Sequence, residues 1–164
     1  MVEMKIFGLA LDEQSQVPLL ILKNQDETKV LPIWIGAMEA MSISVSLNKV
    51  SISRPLTHDL MLNTLETLGA SITSVVVVDL REGTYYAEIH LEQQDRTYIV
   101  DSRPSDAIAL AVRLNVPVYA NEQLLERMDK RFEEQSEAVL KDEESEKWTE
   151  MLQNVDVDDF KYRM

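Results

Sequence analysis

The chain has 164 residues, no cysteine and a net charge of −13, with 45% hydrophobic and 27% charged residues. This length and balance are typical of one globular domain with a sizeable core, and the lack of cysteine excludes a disulfide framework and a thiolate metal site. The N-terminus lacks the apolar core of a signal peptide, and no apolar run reaches membrane-spanning length. We therefore expect a cytoplasmic protein without a membrane segment.

Apolar segments predict three strands in the first 35 residues, at 5–12, 17–22 and 29–35. Short polar turns separate these segments, which favours an antiparallel meander. A helix is expected from Gly36 through Leu47, and apolar residues on more than one of its sides indicate that it is buried. A second helix is expected from about 56 to 68, followed by a glycine that can end it.

Three further strands are predicted at 71–80, 85–91 and 97–101. The segment 101–113 then opens with polar residues and continues as Ala, Ile, Leu and Val, a composition that suits a buried helix. Runs of strands followed by helices predict an α+β fold with mainly antiparallel strands: a three-strand meander, two helices, three strands and a buried helix. Two helices that each follow a Ser-Arg-Pro sequence hint at a weak internal duplication.

The C-terminal quarter differs in composition from the rest of the chain. A short helix is expected near 121–128, and the mostly charged residues 129–147 are typical of a mobile or solvated segment. An apolar helical face then returns around Trp148, and it could dock on the body or on a second subunit. The sequence predicts a domain at 1–125 and an acidic, partly mobile helical tail at 126–164.

Three motifs in a fixed order point to a known family. They are LPIWIGAMEA at 31–40, RPLTHDL at 54–60 and DSRPSDAIALAVRLNVPVY at 101–119. Together they resemble the bifunctional nuclease family over roughly residues 2–125, and the closing DVDDFKYRM also resembles the C-terminus of that family. The resemblance implies metal-assisted DNase and RNase activity, with DNA and RNA as substrates. It does not identify the residues that carry this activity.

Chemistry suggests which residues those are. Hydrolysis of a phosphodiester needs an activated water and stabilisation of the charge on the phosphate oxygens. Carboxylate-bound Mg²⁺ or Mn²⁺ provides both, and arginine can clamp the phosphate. We predict that the helix entrances converge on one cleft, with Asp101, Asp106 and Glu39 as metal ligands and His58, Asp59, Arg54 and Arg103 as catalytic residues.

Each candidate also has a structural interpretation. Asp106 is an ordinary helix-capping type, and the helix dipole alone favours Glu39 in a first turn. Arg103 could form a buried structural ion pair with Asp59 or Asp101, and His58 could cap its helix or face solvent. No His–Asp arrangement is spaced in sequence for a nucleophilic Ser105, so a serine triad is not expected there.

The charge distribution favours a rival function. Residues 1–120 carry 15 acidic and 9 basic side chains, and residues 121–164 carry 14 and 7. Nucleic-acid binders usually have a basic patch, so either metal ions supply positive charge locally or the main ligand is not nucleic acid. The alternative is a non-catalytic module that binds a small anionic ligand or a protein partner through Arg54 and Arg103. We expect a homodimer in either case.

Overall fold

The computed structural model describes residues 1–12 and 15–135. Within these residues the elements, in chain order, are β1 (Val2–Leu11), β2 (Pro18–Asn24), β3 (Val30–Trp34), α1 (Ala37–Leu47), α2 (Thr57–Thr67), β4 (Ala70–Arg81), β5 (Thr84–Gln93), β6 (Arg96–Ser102), α3 (Pro104–Leu114), β7 (Val118–Ala120) and α4 (Glu122–Gln135). The predicted α+β fold and its order of strands and helices are confirmed.

The strands form one seven-stranded sheet in the order β3-β2-β1-β7-β4-β5-β6. Each half is an antiparallel meander, with β1–β2–β3 at one side and β4–β5–β6 at the other, and the first of these was predicted. The short strand β7 lies between them, antiparallel to β1 and parallel to β4. It has only three residues and was not predicted, yet it joins the two meanders into a continuous sheet.

The two halves share an arrangement of three strands followed by a helix. In the first half the helix is α1, in the second it is α3, and these two helices pack against each other. The sequence hint of duplication paired α2 with α3, whereas the order of elements makes α1 the counterpart of α3. The N-terminal ends of α1 and α3 lie next to each other, and the site described below is located at these ends.

The core lies between the sheet and α3. Helix α3 is buried along most of its length, as its composition predicted, and it contacts β4 and β5. Helix α1 is buried only on the face that carries Ala40, Ile43 and Ser44, while Met38 and Leu47 are exposed. The prediction of a buried α1 therefore holds for one face only.

The predicted boundary at residues 125 and 126 falls inside α4, which continues to Gln135. Residues 136–164, which include most of the predicted acidic tail, lie outside the described residues, so the domain boundary stays a prediction. No helix in the described part of the chain is long and apolar enough to cross a membrane.

Candidate active site at three helix entrances

Helices α1, α2 and α3 each carry a carboxylate in the first turn, at the third helical position. These residues are Glu39, Asp59 and Asp106. A negative charge is favourable there because the unpaired N–H groups and the helix dipole place partial positive charge at the N-terminus. The contacts of the three carboxylates differ, and those differences define the site.

Arg103 joins the entrances of α1 and α3. Its Nε and Nη2 donate to Oδ2 and Oδ1 of Asp106 at 2.7 and 3.1 Å, and its Nη1 donates to Oε1 of Glu39 at 2.9 Å. The Arg103 side chain is nevertheless 64% exposed. The Glu39 carboxylate lies so close to Gly36 that a Cβ at that position would be 2.2 Å from Oε2. Glycine therefore allows Glu39 to turn back towards Arg103.

His58 connects the entrance of α2 to the same carboxylate. Its Nε2 lies 3.2 Å from Oδ1 of Asp106, and its Nδ1 lies 2.9 Å from Oγ of Ser42. An ionised carboxylate only accepts hydrogen bonds, so Nε2 carries the proton in neutral His58 and Nδ1 accepts from the Ser42 hydroxyl. The side chain of His58 is 17% exposed. The structure thus holds an imidazole in one orientation, between a carboxylate and a hydroxyl.

The pKa values of Asp106 and Arg103 both move in the direction that favours the charged form. Burial alone would raise the pKa of Asp106, but hydrogen bonds from Arg103 and His58 outweigh it and hold the pKa below its ordinary value. The bonds to Asp106, and then the bond to Glu39, raise the pKa of the Arg103 guanidinium. Asp106 and Arg103 therefore remain a charged pair at neutral pH.

Asp59, a predicted catalytic residue, makes a different set of contacts. Its Oδ1 accepts from Nε of Arg113 at 2.7 Å, and its Oδ2 accepts from the backbone N–H of Leu56 at 2.8 Å. Arg113 is only 7% exposed, and it also donates to the carbonyl oxygens of Ser42 and Ala109. Asp59 therefore caps its own helix and ties α2 to α3, which is a structural role.

Arg54 lies apart from the Arg103 cluster. It lines a groove of about 450 Å³ beside the end of α1, together with Asp59 and Arg113. The sequence grouped Arg54 with Arg103 as phosphate clamps, but the structure places the two arginines at different parts of the surface near His58.

Asp101 does not join the cluster. It is opposite Glu88 in the β5–β6 ladder, so both side chains lie on the same face of the sheet. The neighbouring Ala87 and Ile89 are buried on the other face, where α3 packs. Because strand side chains alternate, Asp101 points away from the face that carries Asp106.

The predicted metal ligands Asp101, Asp106 and Glu39 are therefore not brought together. Among residues 1–12 and 15–135, no cluster of three or more His, Cys, Asp or Glu side chains is arranged to hold a metal ion. Oxygens of both Asp106 and Glu39 accept from Arg103. This arrangement does not fit a divalent cation ligated by three protein carboxylates.

Sequence reasoning missed two residues of the site, Ser42 and Arg113. Arg113 could have been found, because it is the one charged residue after the first turn of an apolar helix and must have a partner there. Ser42 carries no such signal: α1 contains three serines, and only the fold brings one of them to His58.

The chain is similar in sequence to several known proteins. The family model of the bifunctional nuclease domain matches residues 20–133. An uncharacterised protein of Mycobacterium tuberculosis is 37% identical over 163 residues, which are 97% of this chain and 98% of that protein.

Bifunctional nuclease 2 of Arabidopsis thaliana is 32% identical over 109 residues, which are 64% of this chain and 33% of that protein. Bifunctional nuclease 1 of the same plant is 28% identical over 121 residues, which are 71% of this chain and 37% of that protein. This chain thus spans about a third of the length of the plant relatives. The chain belongs to the bifunctional nuclease domain family.

Proposed function

We propose that this protein is a nuclease that hydrolyses phosphodiester bonds of DNA and RNA at the cluster of His58, Asp106 and Arg103. One observation carries the proposal: the imidazole of His58 and the guanidinium of Arg103, whose side chain is 64% exposed, both bond to the carboxylate of Asp106. Proton transfer and charge stabilisation are the two requirements of phosphodiester hydrolysis, and these groups can meet both. Family membership and the names of the plant relatives support the same reaction.

Arg103 is the group suited to bind the scissile phosphate. Its guanidinium is planar and can pair with two phosphate oxygens at once. Its exposed surface leaves room for a phosphate while Asp106 and Glu39 hold the side chain in place. In the transition state negative charge grows on the phosphate oxygens, so a fixed guanidinium stabilises it more than it stabilises the ground state.

His58 is the group suited to move the proton. Attack forms a bond from the water oxygen to phosphorus and breaks the bond from phosphorus to the leaving oxygen. His58 Nδ1 accepts the proton of the water, either through the Ser42 hydroxyl or after that hydroxyl rotates away. The imidazolium then protonates the leaving oxygen. Asp106 holds Nε2–H and stabilises the imidazolium, as the orienting carboxylate of a catalytic triad does.

The requirement for Mg²⁺ or Mn²⁺ stays a prediction. Such ions bind through one or two carboxylates together with substrate phosphates, and they polarise phosphate oxygens where they bind. Here the carboxylates beside His58 pair with Arg103, so none of the steps above passes through a metal. Cleavage assays with EDTA and with each added ion measure the requirement directly.

The test is cleavage of labelled single-stranded DNA and RNA by the purified protein and by His58→Ala. We expect a loss of about 100-fold or more in the variant, the low end of what general acid–base groups contribute. His90→Ala is a matched control, because His90 is the other histidine of the chain and its Nε2 also lies near a carboxylate, 3.3 Å from Glu88. Equal rates for wild type and His58→Ala would overturn the proposal.

The rival function, a non-catalytic module for a small anionic ligand, rests on one observation. The carboxylates nearest His58 are neutralised by Arg103, and this network could hold an anion without any chemistry. Phosphate binding that requires Arg103, without cleavage of DNA or RNA under any metal condition, would favour it. A homodimer is a separate proposal, for which light scattering of the purified chain should give twice the chain mass.

A further inference from the structure

A groove beside the site is lined by basic and apolar residues in a protein that is acidic as a whole. It lies between the end of α1 and the start of α2 and has a volume of about 450 Å³. Lys49, Arg54 and Arg113 contribute basic groups to its wall, and Asp59 contributes one carboxylate. Arg113 is already paired with Asp59. The positive charge available to a ligand therefore comes from Lys49 and Arg54.

Lys49 and Arg54 have no side-chain hydrogen bond or ion pair within residues 1–12 and 15–135. Most arginines of the described part do have one, including Arg103 and Arg113. Two unpaired cations beside one groove attract anions, and the net charge of −13 makes this local excess of positive charge more notable.

The backbone at Lys49 closes the end of α1. Lys49 has φ of +53° and follows Asn48, the C-cap residue of α1, and the N–H groups of Lys49 and Val50 bond to the carbonyls of Ser46 and Val45. This is the helix-ending motif in which glycine is favoured, because other residues are strained at positive φ. Glycine can therefore replace Lys49 and remove its charge without disturbing the backbone.

The groove is connected to the catalytic cluster through Arg113. Arg113 lines the groove and donates from Nη2 to Oγ of Ser42 at 3.3 Å. The same Ser42 oxygen lies 2.9 Å from Nδ1 of His58. The Ser42 hydroxyl therefore links one side chain of the groove wall to the imidazole of His58.

We propose that this groove binds the phosphate backbone of one polynucleotide strand, with Lys49 and Arg54 as the phosphate contacts. The inference rests on the proposed nuclease function and adds the path of the substrate. Its volume lies in the range of sites for small ligands, roughly 300–1,000 Å³, which suits a short stretch of a single strand and not a duplex. The apolar part of its wall, which includes Val45, Val50, Ile52 and Pro55, can contact sugars and bases. Arg54 is thus a binding residue and not a catalytic one.

The experiment measures binding of a labelled single-stranded oligonucleotide at several salt concentrations by fluorescence anisotropy. It uses the full chain with His58→Ala and EDTA, so that cleavage does not consume the probe. Each phosphate contact to a single strand contributes about 0.7 to the slope of log affinity against log salt. The slope is negative because salt weakens binding. We expect Lys49→Gly and Arg54→Gln each to reduce the magnitude of the slope by about that amount, whatever the base sequence.

Arg96→Gln is the matched control, since Arg96 is an exposed arginine on the edge strand β6 and should leave the slope unchanged. Lys49→Gly relieves the positive φ, so its melting temperature should stay the same or rise while binding weakens. This separates loss of a contact from loss of the fold. Slopes for Lys49→Gly and Arg54→Gln equal to that of Arg96→Gln, or no binding by any form, would overturn the groove assignment.

These outcomes are distinct from failure of the proposed function. If His58→Ala cleaves like wild type but Lys49→Gly weakens binding, the groove assignment stands and the catalytic assignment fails. If His58 is essential for cleavage but both groove variants bind like the Arg96→Gln control, the catalytic assignment stands and the substrate follows another path.

Discussion

Two arginines at opposite ends of α3, the N-cap residue Arg103 and Arg113 in the last turn, each pair with an aspartate, and the two pairs have opposite surroundings. Arg113 is 7% exposed and bonds to Asp59 and to two backbone carbonyls. Arg103 is 64% exposed and bonds to Asp106 and Glu39. Both pairs have short contacts of 2.7 Å from Nε to a carboxylate oxygen. Distance alone therefore does not separate a structural tie from a functional one.

The two guanidinium groups differ in how accessible they are to a ligand. Arg113 uses its donors within the protein, so its removal would leave the Asp59 carboxylate without its arginine partner. Solvent reaches Arg103, so a phosphate can contact it while Asp106 and Glu39 hold the side chain, and exposed ion pairs of this kind add little stability. We therefore expect the Arg113–Asp59 pair to contribute stability and, if the proposed function holds, the Arg103–Asp106 pair to contribute to cleavage.

Arg113→Met should cause the largest loss of stability. Breaking a buried ion pair by removing one partner costs roughly 3–5 kcal/mol, and we expect about 3 kcal/mol because Asp59 remains 38% exposed and can be hydrated. The midpoint of urea unfolding measures this loss. A change below about 1 kcal/mol would mean that Arg113 is not the tie between α2 and α3.

Arg103→Met should show the opposite pattern. We expect a stability loss below about 1 kcal/mol, since the pair is exposed. Cleavage should fall about 100-fold, the effect of losing one fixed donor to a developing negative charge. Urea unfolding and kcat/KM on the same preparation test both statements. Stability loss as large as that of Arg113→Met would remove the distinction between the pairs.

The stability contributed by Asp59 should depend on pH. Burial alone would raise the pKa of Asp59, but bonds from Arg113 and Leu56 outweigh it and hold the pKa below its ordinary value of 3.8. A lowered folded-state pKa means that the contribution is complete above about pH 4 and is lost as pH falls through the lower, folded-state value. Asp59→Asn should therefore destabilise at pH 7 and match the wild type more closely at pH 3.

Urea unfolding of wild type and Asp59→Asn at pH 7, 4 and 3 gives this difference directly. Because the variant removes only this charge, subtracting the two curves cancels the titration of other carboxylates. A difference that grows on acidification would show that Asp59 is not stabilised in its ionised form.

Gly36→Ala should have the smallest effect. The added Cβ would lie 2.2 Å from Oε2 of Glu39, and the flexible glutamate can move away, which loosens its bond to Arg103. Loss of one exposed ion pair is worth up to about 1 kcal/mol, so we expect at most a fivefold fall in kcat/KM. Glu39→Gln should give a similar value. A fall as large as that of Arg103→Met would mean that Glu39 does more than hold the guanidinium.

Much of the fold follows from local sequence patterns. The short polar turns between the first apolar segments predicted the meander β1–β2–β3, and the apolar run after Asp106 predicted the burial of α3. Strand β7 was not predicted because three residues are too few to show a hydrophobic pattern. Its pairing with β1 and β4 depends on the assembled sheet. The partial exposure of α1 was not predicted because composition does not show how many faces of a helix pack against other elements.

The site was predictable only as a set of residue types. The clustering of Glu39, His58, Arg103 and Asp106 depends on contacts across 48 and 64 residues, which local patterns do not encode. Asp101 was grouped with Asp106 because the two are near in sequence, whereas strand alternation turns Asp101 to the other face. Proximity along the chain therefore suggested a metal pair that the geometry does not form.

Asp101 and Asp106 also provide the most direct measurement of the central claim, that the open cluster around His58 performs the cleavage. Asp106→Asn keeps the shape of the side chain and removes the charge that orients His58, while Asp101→Asn removes an equal charge five positions away on the opposite face. We predict that kcat for cleavage of single-stranded DNA falls about 100-fold or more in Asp106→Asn and changes less than twofold in Asp101→Asn. Full activity in Asp106→Asn, or an equal loss in both variants, would contradict the account.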